Sequence, residues 1–213
     1  MPLTGYPAIP EGGTIANERQ PGKPMTKLTD KVIRAALKAH LDSQGPLAVL
    51  EELRVHNGNA VADVVSIHED AHCYEIKGET DEIRRISKQG SYYDLVFSQV
   101  TLVTTQNHIS TAMRLAPHHW GVIIAEHSQT GVQLRNIRSA QRSAAFDKKL
   151  ALLTLWKSEL LSLLDHRSAK VEKLSRERLS CQIADGKEAH EISVKIGKLL
   201  VARQANNGWS LAI

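Results

Sequence analysis

Residues 60–77, AVADVVSIHEDAHCYEIK, constrain the fold more than any other stretch of the chain. Two short β-branched or apolar runs, AVADVVSI and CYEIK, are joined by the polar link HEDAH, a pattern that predicts an antiparallel hairpin. A turn centred near Asp70 makes facing residue numbers sum to about 140, which sets Asp63 opposite Lys77 and Val65 opposite Glu75. Side chains alternate between the two sides of a strand. Asp63, Glu75 and Lys77 therefore emerge on one side, while Val64, Tyr74 and Ile76 turn to the other, against a core. Two carboxylates and an ammonium brought together are costly for stability alone. The grouping makes chemical sense around a divalent cation, since Mg²⁺ takes one or two carboxylates together with waters and phosphate oxygens. The lysine then orients a water or offsets charge building on a phosphate.

Around the hairpin the pattern is mixed. TKLTDKVIRAALKAHLDS predicts a helix capped at Thr29 or Asp30, with Val32, Ile33, Ala36, Leu37 and Leu41 as its apolar stripe. GPLAVLEELRV is compatible with a short helix or an extended run. DEIRRISKQGSYYDLVF is an amphipathic helix candidate with Ile83, Ile86, Tyr93 and Phe97 inward, weakened by Gly90. VTLVTT and WGVIIAE predict buried strands on either side of a helix at ISTAMRLAP. The expected fold is thus α/β: a mixed sheet core flanked by helices over residues 26–130, preceded by a Pro- and Gly-rich flexible leader (1–25). Residues 131–213 are expected to form a basic helical appendage. Its first helix spans AFDKKLALLTLWKSELLSLLDHR, with Trp156 in the apolar face beside Leu153, Leu160, Leu163 and Leu164.

Charge sharpens that division. Between Lys27 and Gln133, 10 Lys and Arg face 13 Asp and Glu, a net of −3; from Leu134 onward the count is 15 to 8, a net of +7. A basic tail suits contact with a polyanion, and Arg176 and Arg178 are its first candidates for phosphate contact. No apolar run approaches the ~20 residues that span a bilayer, so no membrane partner is expected. Two distant cysteines, Cys73 and Cys181, and a start without the layout of a secretory signal point to the cytoplasm. Among the ten histidines, His68, His72, His118 and His119 fit surface or loop positions better than a zinc site. Phosphate-cradling glycine loops, nucleophile elbows and Cys–His dyads are absent from the sequence.

Asp63 followed by Glu75-Ile76-Lys77 resembles the active-site signature of the PD-(D/E)XK (restriction-endonuclease-like) nuclease superfamily, and Gln89 with Tyr93 resembles the Gln-x-x-x-Tyr motif of its RecB-like branch. From Val49 to Val103 the chain is similar to a small bacterial family named after a myxobacterial open reading frame, in which Glu52, Asp81 and Arg85 also find counterparts. Gly78-Glu79 departs from the Ser-Asp more usual there. The resemblance implies a restriction-endonuclease-like fold and a Mg²⁺- or Mn²⁺-dependent endonuclease or exonuclease acting on DNA. Asp63, Glu75, Glu52 and the main-chain carbonyl of Ile76 are its implied metal ligands. Lys77 is the implied catalytic amine, Gln89 and Tyr93 position the strand or the lysine, and Arg85 contacts nucleic acid. A homodimer is compatible with this fold but has no interface signal in the sequence. The alternative expectation is a catalytically silent DNA- or partner-binding module of the same fold.

Overall fold

The computed structural model describes residues 27–209; the expected leader lies outside them. Its centre is a six-stranded mixed sheet in sequence order: β1 (Ala48–Val55), β2 (Ala60–Ile67), β3 (Ala71–Ile76), β4 (Gln99–Thr105), β5 (Gly121–Ser128) and β6 (Gly131–Arg138). The first three strands are antiparallel, β3–β4 and β4–β5 are parallel, and β5–β6 is an antiparallel hairpin. The two parallel steps need crossovers. Helices α2 (Ile86–Val96), entered through a 3₁₀ turn at Ile83–Arg85, and α3 (Ile109–Leu115) supply them.

Each face of the sheet buries its own apolar cluster. On one face lies α1 (Asp30–Asp42), whose Ile33, Leu37 and Leu41 are fully buried against Val64, Tyr74, Ile76 and Val103. Those three side chains, at the 3.6-residue period of the helix, contribute roughly 1.5–3 kcal/mol each on removal from water. Thr29 is the N-cap, although its side chain makes no capping bond. The other face carries a larger cluster built from Val65, Cys73, Val100 and Leu102 of the sheet with Ile83, Ile86, Tyr93 and Phe97 of the α2 segment.

The C-terminal half departs from expectation in three ways. Residues 131–138, assigned to the helical tail, form edge strand β6. Its exposed outer face leaves only a weak alternation at Val132 and Leu134. The tail is not an appendage either. Leu152, Leu155, Leu160, Leu179, Ile183, Ile192, Ile196 and Leu200 join the same cluster as the sheet. All but Leu155, which lies in the turn between the first two, come from α4 (Lys148–Leu152), α5 (Lys157–Ser162), α7 (Arg176–Ala184) and α8 (Ala189–Trp209); a short α6 (Ala169–Glu172) links α5 to α7. Third, the expected long first helix breaks in two. Trp156 adopts an extended conformation (φ −69°, ψ 161°) as the N-cap of α5, and its N–H donates to Glu159 Oε2 at 2.6 Å. That break shifts the helical phase, so Leu155 turns inward and Trp156, expected in the core, is 54% exposed.

Two glycines permit close approaches beside the hairpin. A Cβ on Gly78 would come within 2.7 Å of the Leu28 carbonyl oxygen, in the segment leading into α1. The glycine at this position therefore answers to space. A Cβ on Gly90 would meet the Trp120 ring at 2.8 Å, so the residue that weakens α2 lets it settle on the core.

Candidate active site

The hairpin forms with a register two residues from the expected one. Val64 faces Tyr74 and Val65 faces Cys73, so the facing numbers sum to 138 rather than 140; the ladder ends there, and Asp63, just beyond it, accepts from the Ile76 amide through its side chain. An even shift keeps the parity. Cys73 packs in the α2-side cluster and Tyr74 and Ile76 in the α1-side cluster, as alternation requires. In β2 the alternation slips at Asp63, since Ala62 belongs to one cluster and Val64, two residues on, to the other. Glu52, opposite that slip in the register, has a left-handed backbone (φ 55°).

Asp63, Glu75, Ile76 and Lys77 line one cavity of about 670 Å³. Asp30 and Arg34 of α1 close one side; Arg85, Lys88, Gln89 and Tyr92 close the α2 side, with Asp81 and Glu82 between. Arg85 and Lys88 are exposed, giving this rim positive charge. Inside, Glu75 is 1% exposed and Lys77 8% exposed. Lys77 Nζ donates to Glu75 Oε1 at 2.6 Å. The Tyr93 hydroxyl lies 2.8 Å from Glu75 Oε2 and 2.7 Å from the Val61 carbonyl oxygen, sharing its one proton between two acceptors. Burial, then the Glu75 charge, push the Tyr93 phenol well above its usual range, so it stays a donor. Gln89 Nε2 is 3.5 Å from that hydroxyl, and Gln89 Oε1 is buried with no hydrogen-bond partner. The Gln-x-x-x-Tyr pair thus reaches the acidic centre through Glu75.

Asp63 is the most perturbed carboxyl of the site. Burial, with the Glu75 charge beside it, pushes its pKa up to about 7, although the Ile76 amide (2.8 Å to Oδ2) and Arg34 pull the other way. A buried carboxyl beside a second acid calls for neighbouring positive charge. Arg34 supplies part of it: its Nη2 lies 3.3 Å from Asp63 Oδ1, and its Nη1 donates to the Asp63 main-chain oxygen at 2.8 Å. The same guanidinium holds Asp30 and Glu52, at 3.0 and 2.7 Å. Burial works to lower the Arg34 pKa, but Asp30, Asp63 and Glu52 outweigh it and raise it.

Other expected residues take different places. Glu52 is bound to Arg34 and lines a neighbouring cavity. Asp81 accepts from the Gly78 amide at 2.7 Å and fixes the turn after Lys77. Arg176 lines the neighbouring cavity and donates to the Leu153 carbonyl; Arg178 is exposed on α7. His72 is a strand residue, stacked on Tyr74 at 4.3 Å and bonded to Thr101, rather than a surface or loop one. Asp30, Arg34, Lys88 and Tyr92 were not singled out from the sequence, although Asp30 and Arg34 carry the i, i+4 spacing of a helical ion pair.

Can this donor set hold a divalent cation? Among the described residues no three His, Cys, Asp or Glu side chains are grouped as a metal cage. The available donors are the carboxylates of Asp63 and Glu75, with Ile76 beside them in the lining of a cavity with room for waters and a phosphate. This suits Mg²⁺ better than a metal needing an all-protein cage. The raised Asp63 pKa fits too, because a cation would relieve what a proton otherwise must.

Residues 23–206 match the family described as Bacteriophage P4 protein cII. The chain belongs to that family. Protein cII of Enterobacteria phage P4 is 25% identical over 141 residues, 65% of this chain and 53% of the phage protein. The chain thus spans about half the length of that curated relative. Among solved structures, a protein of unknown function from Silicibacter pomeroyi (SPO1766) is similar with a TM-score of 0.42 and 17% identity, covering 53% of this chain and 71% of the other. The matched part of the P4 cII family chain takes in the whole six-stranded sheet and the cavity lined by β2 and β3.

Proposed function

We propose that this P4 cII family chain has a restriction-endonuclease-like fold and is a divalent-metal-dependent nuclease hydrolysing phosphodiester bonds of DNA. The observation that carries the reading is the convergence of Asp63, Glu75, Ile76 and Lys77 on one cavity, with Asp63 and Glu75 two carboxyls side by side and largely out of water. Mg²⁺ or Mn²⁺ held by Asp63, Glu75 and the Ile76 carbonyl would polarise the scissile phosphate and make bound water more acidic. The remaining steps belong to the chain. Glu75 is held between Lys77 and Tyr93, so its carboxylate cannot swing away from the cavity. Lys77 spends one N–H on Glu75 and keeps two to orient a water or meet a phosphate oxygen. Arg85 and Lys88 attract the backbone of the strand. Glu52, bonded to Arg34 and lining the neighbouring cavity instead, has no part in this reading.

The test is a plasmid-nicking assay with Mg²⁺, with Mn²⁺ and with EDTA, on wild type and Lys77→Gln. Glutamine keeps an amide donor beside Glu75 without the ammonium charge, and a circular dichroism spectrum matching wild type shows that the variant is folded. Nicking should need metal and fall roughly 10²-fold or more in the variant, the scale of losing one positioned donor. Equal nicking in EDTA, or by Lys77→Gln, overturns the reading.

A second reading has an observation of its own. All four oxygens of Asp63 and Glu75 already accept from Ile76, Arg34, Lys77 and Tyr93. That closed arrangement suits a silent module that binds DNA without cutting it. Metal-independent binding with no nicking under either metal is its signature.

A further inference from the structure

We propose that the groove between the β1–β2 turn and the C-terminal helices is a stacking site for an unpaired base of a nucleic acid strand. The inference takes its ligand from the nuclease reading and adds a second place where the strand is held. Trp156 lies in this groove, 54% exposed, in a chain whose other described large aromatics are mostly buried. Arg203 stacks on it, with Cζ 4.3 Å from the ring centroid. Arg203 is itself fixed, donating from Nε to Glu159 Oε1 at 2.8 Å and from Nη2 to the Thr154 carbonyl at 3.2 Å. The indole is therefore backed on one face by an anchored guanidinium, and its remaining exposure belongs to the opposite face and edges. A rigid ring with a cation behind it is what base stacking uses, because every base has a π-face.

The lining chemistry agrees. Arg54, Arg176 and Arg203 contribute three guanidinium groups to the lining; Arg203 is paired with Glu159, and Glu52, the one carboxylate of the lining, is bonded to Arg34. Arg176 Nε is buried and has no acceptor, although its Nη2 is bonded to Leu153. An unsatisfied buried donor carries a standing cost, which a phosphate or base oxygen entering the groove would relieve. The volume, about 440 Å³, falls within the range of small-molecule sites. Position matters most. Gly58 lines this groove and the Asp63–Glu75 cavity alike, so the two adjoin across the turn at His56–Gly58. A strand with one phosphate in the cavity can carry a neighbouring base over that turn onto Trp156.

The test is fluorescence anisotropy of labelled oligothymidylate and of a duplex of equal length, titrated with the full chain in EDTA. Trp156→Ala should bind oligothymidylate roughly 5- to 150-fold more weakly, the range that base–aromatic stacking supplies, while duplex affinity moves less than about 2-fold. Trp156→Phe should recover most of the loss, which separates stacking from a folding defect. Wild-type affinity in Trp156→Ala, an equal loss for both ligands, or no binding of oligothymidylate by wild type each overturns the proposal. Binding is read without metal, so a chain that proves inert in the nicking assay yet binds through Trp156 removes the nuclease reading and keeps the groove.

Discussion

Two clusters of charge flank the cavity, and they obey opposite rules. The pair Glu75–Lys77 sits under α2, almost out of water and tied to Tyr93. The Arg34 cluster sits under the edge of α1, and its acidic partners Asp30, Glu51 and Glu52 have side chains 39, 38 and 63% exposed. Desolvating two ions costs several kcal/mol each, so the buried pair holds only because its geometry is tight. Those outer acids keep much of their hydration, although Arg34 itself is largely covered, and their pairs are worth little individually. The difference teaches where the fold has committed itself. One side of the cavity is rigid and intolerant, and the other is adjustable.

The comparison breaks most sharply at Lys77. Lys77→Ala leaves Glu75 with only the Tyr93 hydroxyl against its charge, and should cost about 3–5 kcal/mol in urea denaturation. Replacing both members, as Glu75→Leu with Lys77→Met, should restore most of that loss, because two apolar groups of similar volume need no partner. Recovery of stability without recovery of nicking separates the structural from the chemical role of the pair. A double variant no more stable than Lys77→Ala would mean that packing, not charge, holds this side.

Asp63 stands between the clusters and gives the next largest effect. Its carboxyl binds a proton more tightly in the folded state (about 7) than its ordinary value of 3.8. Between those values the native state holds more protons than the unfolded one, so ionising Asp63 costs stability as pH rises from about 4 to about 7 and costs nothing further above that. Asp63→Asn, which cannot ionise, should lack this slope and be more stable than wild type at about pH 8, by on the order of 2–4 kcal/mol. Saturating Mg²⁺ should flatten the wild-type slope by taking the place of the proton. Parallel pH profiles of stability for wild type and Asp63→Asn would show that Arg34 and the Ile76 amide already satisfy the carboxylate.

How much of this was legible beforehand follows from the range of each signal. The hairpin, its face parity and the α1 stripe of Ile33, Leu37 and Leu41 are local patterns, and they were readable. The register was read two residues off, because the sum of facing numbers depends on turn geometry that HEDAH does not specify. Strand β6 went unseen because an exposed edge strand carries little apolar signal. Trp156 was misplaced because the Leu-rich run looks continuous until Glu159 caps a new helix at residue 156. Arg34 could have been suspected from its spacing to Asp30. Its reach to Asp63 and Glu52 could not, since those contacts span 29 and 18 residues and exist only once α1 lies on the sheet.

The smallest effect on stability is expected at Arg34, and it is the most informative about the adjustable side. Arg34→Ala removes pairs to the partly exposed Asp30, Glu51 and Glu52 together with the two bonds to Asp63, a loss of about 1–2 kcal/mol. It also strips Asp63 of its nearest positive charge. If the guanidinium stands in for a cation at that carboxylate, its removal should tighten Mg²⁺ binding several-fold at about pH 8, where Asp63 is mostly ionised. Isothermal titration of Mg²⁺ into both proteins measures this directly. Weaker binding in Arg34→Ala would reverse the assignment. Arg34 would then hold the slipped β2 backbone in place through the Asp63 carbonyl, 2.8 Å away, and so aim the carboxylate rather than compete for it. Either result fixes which of its two bonds to Asp63 matters, the one to the side chain or the one to the main chain.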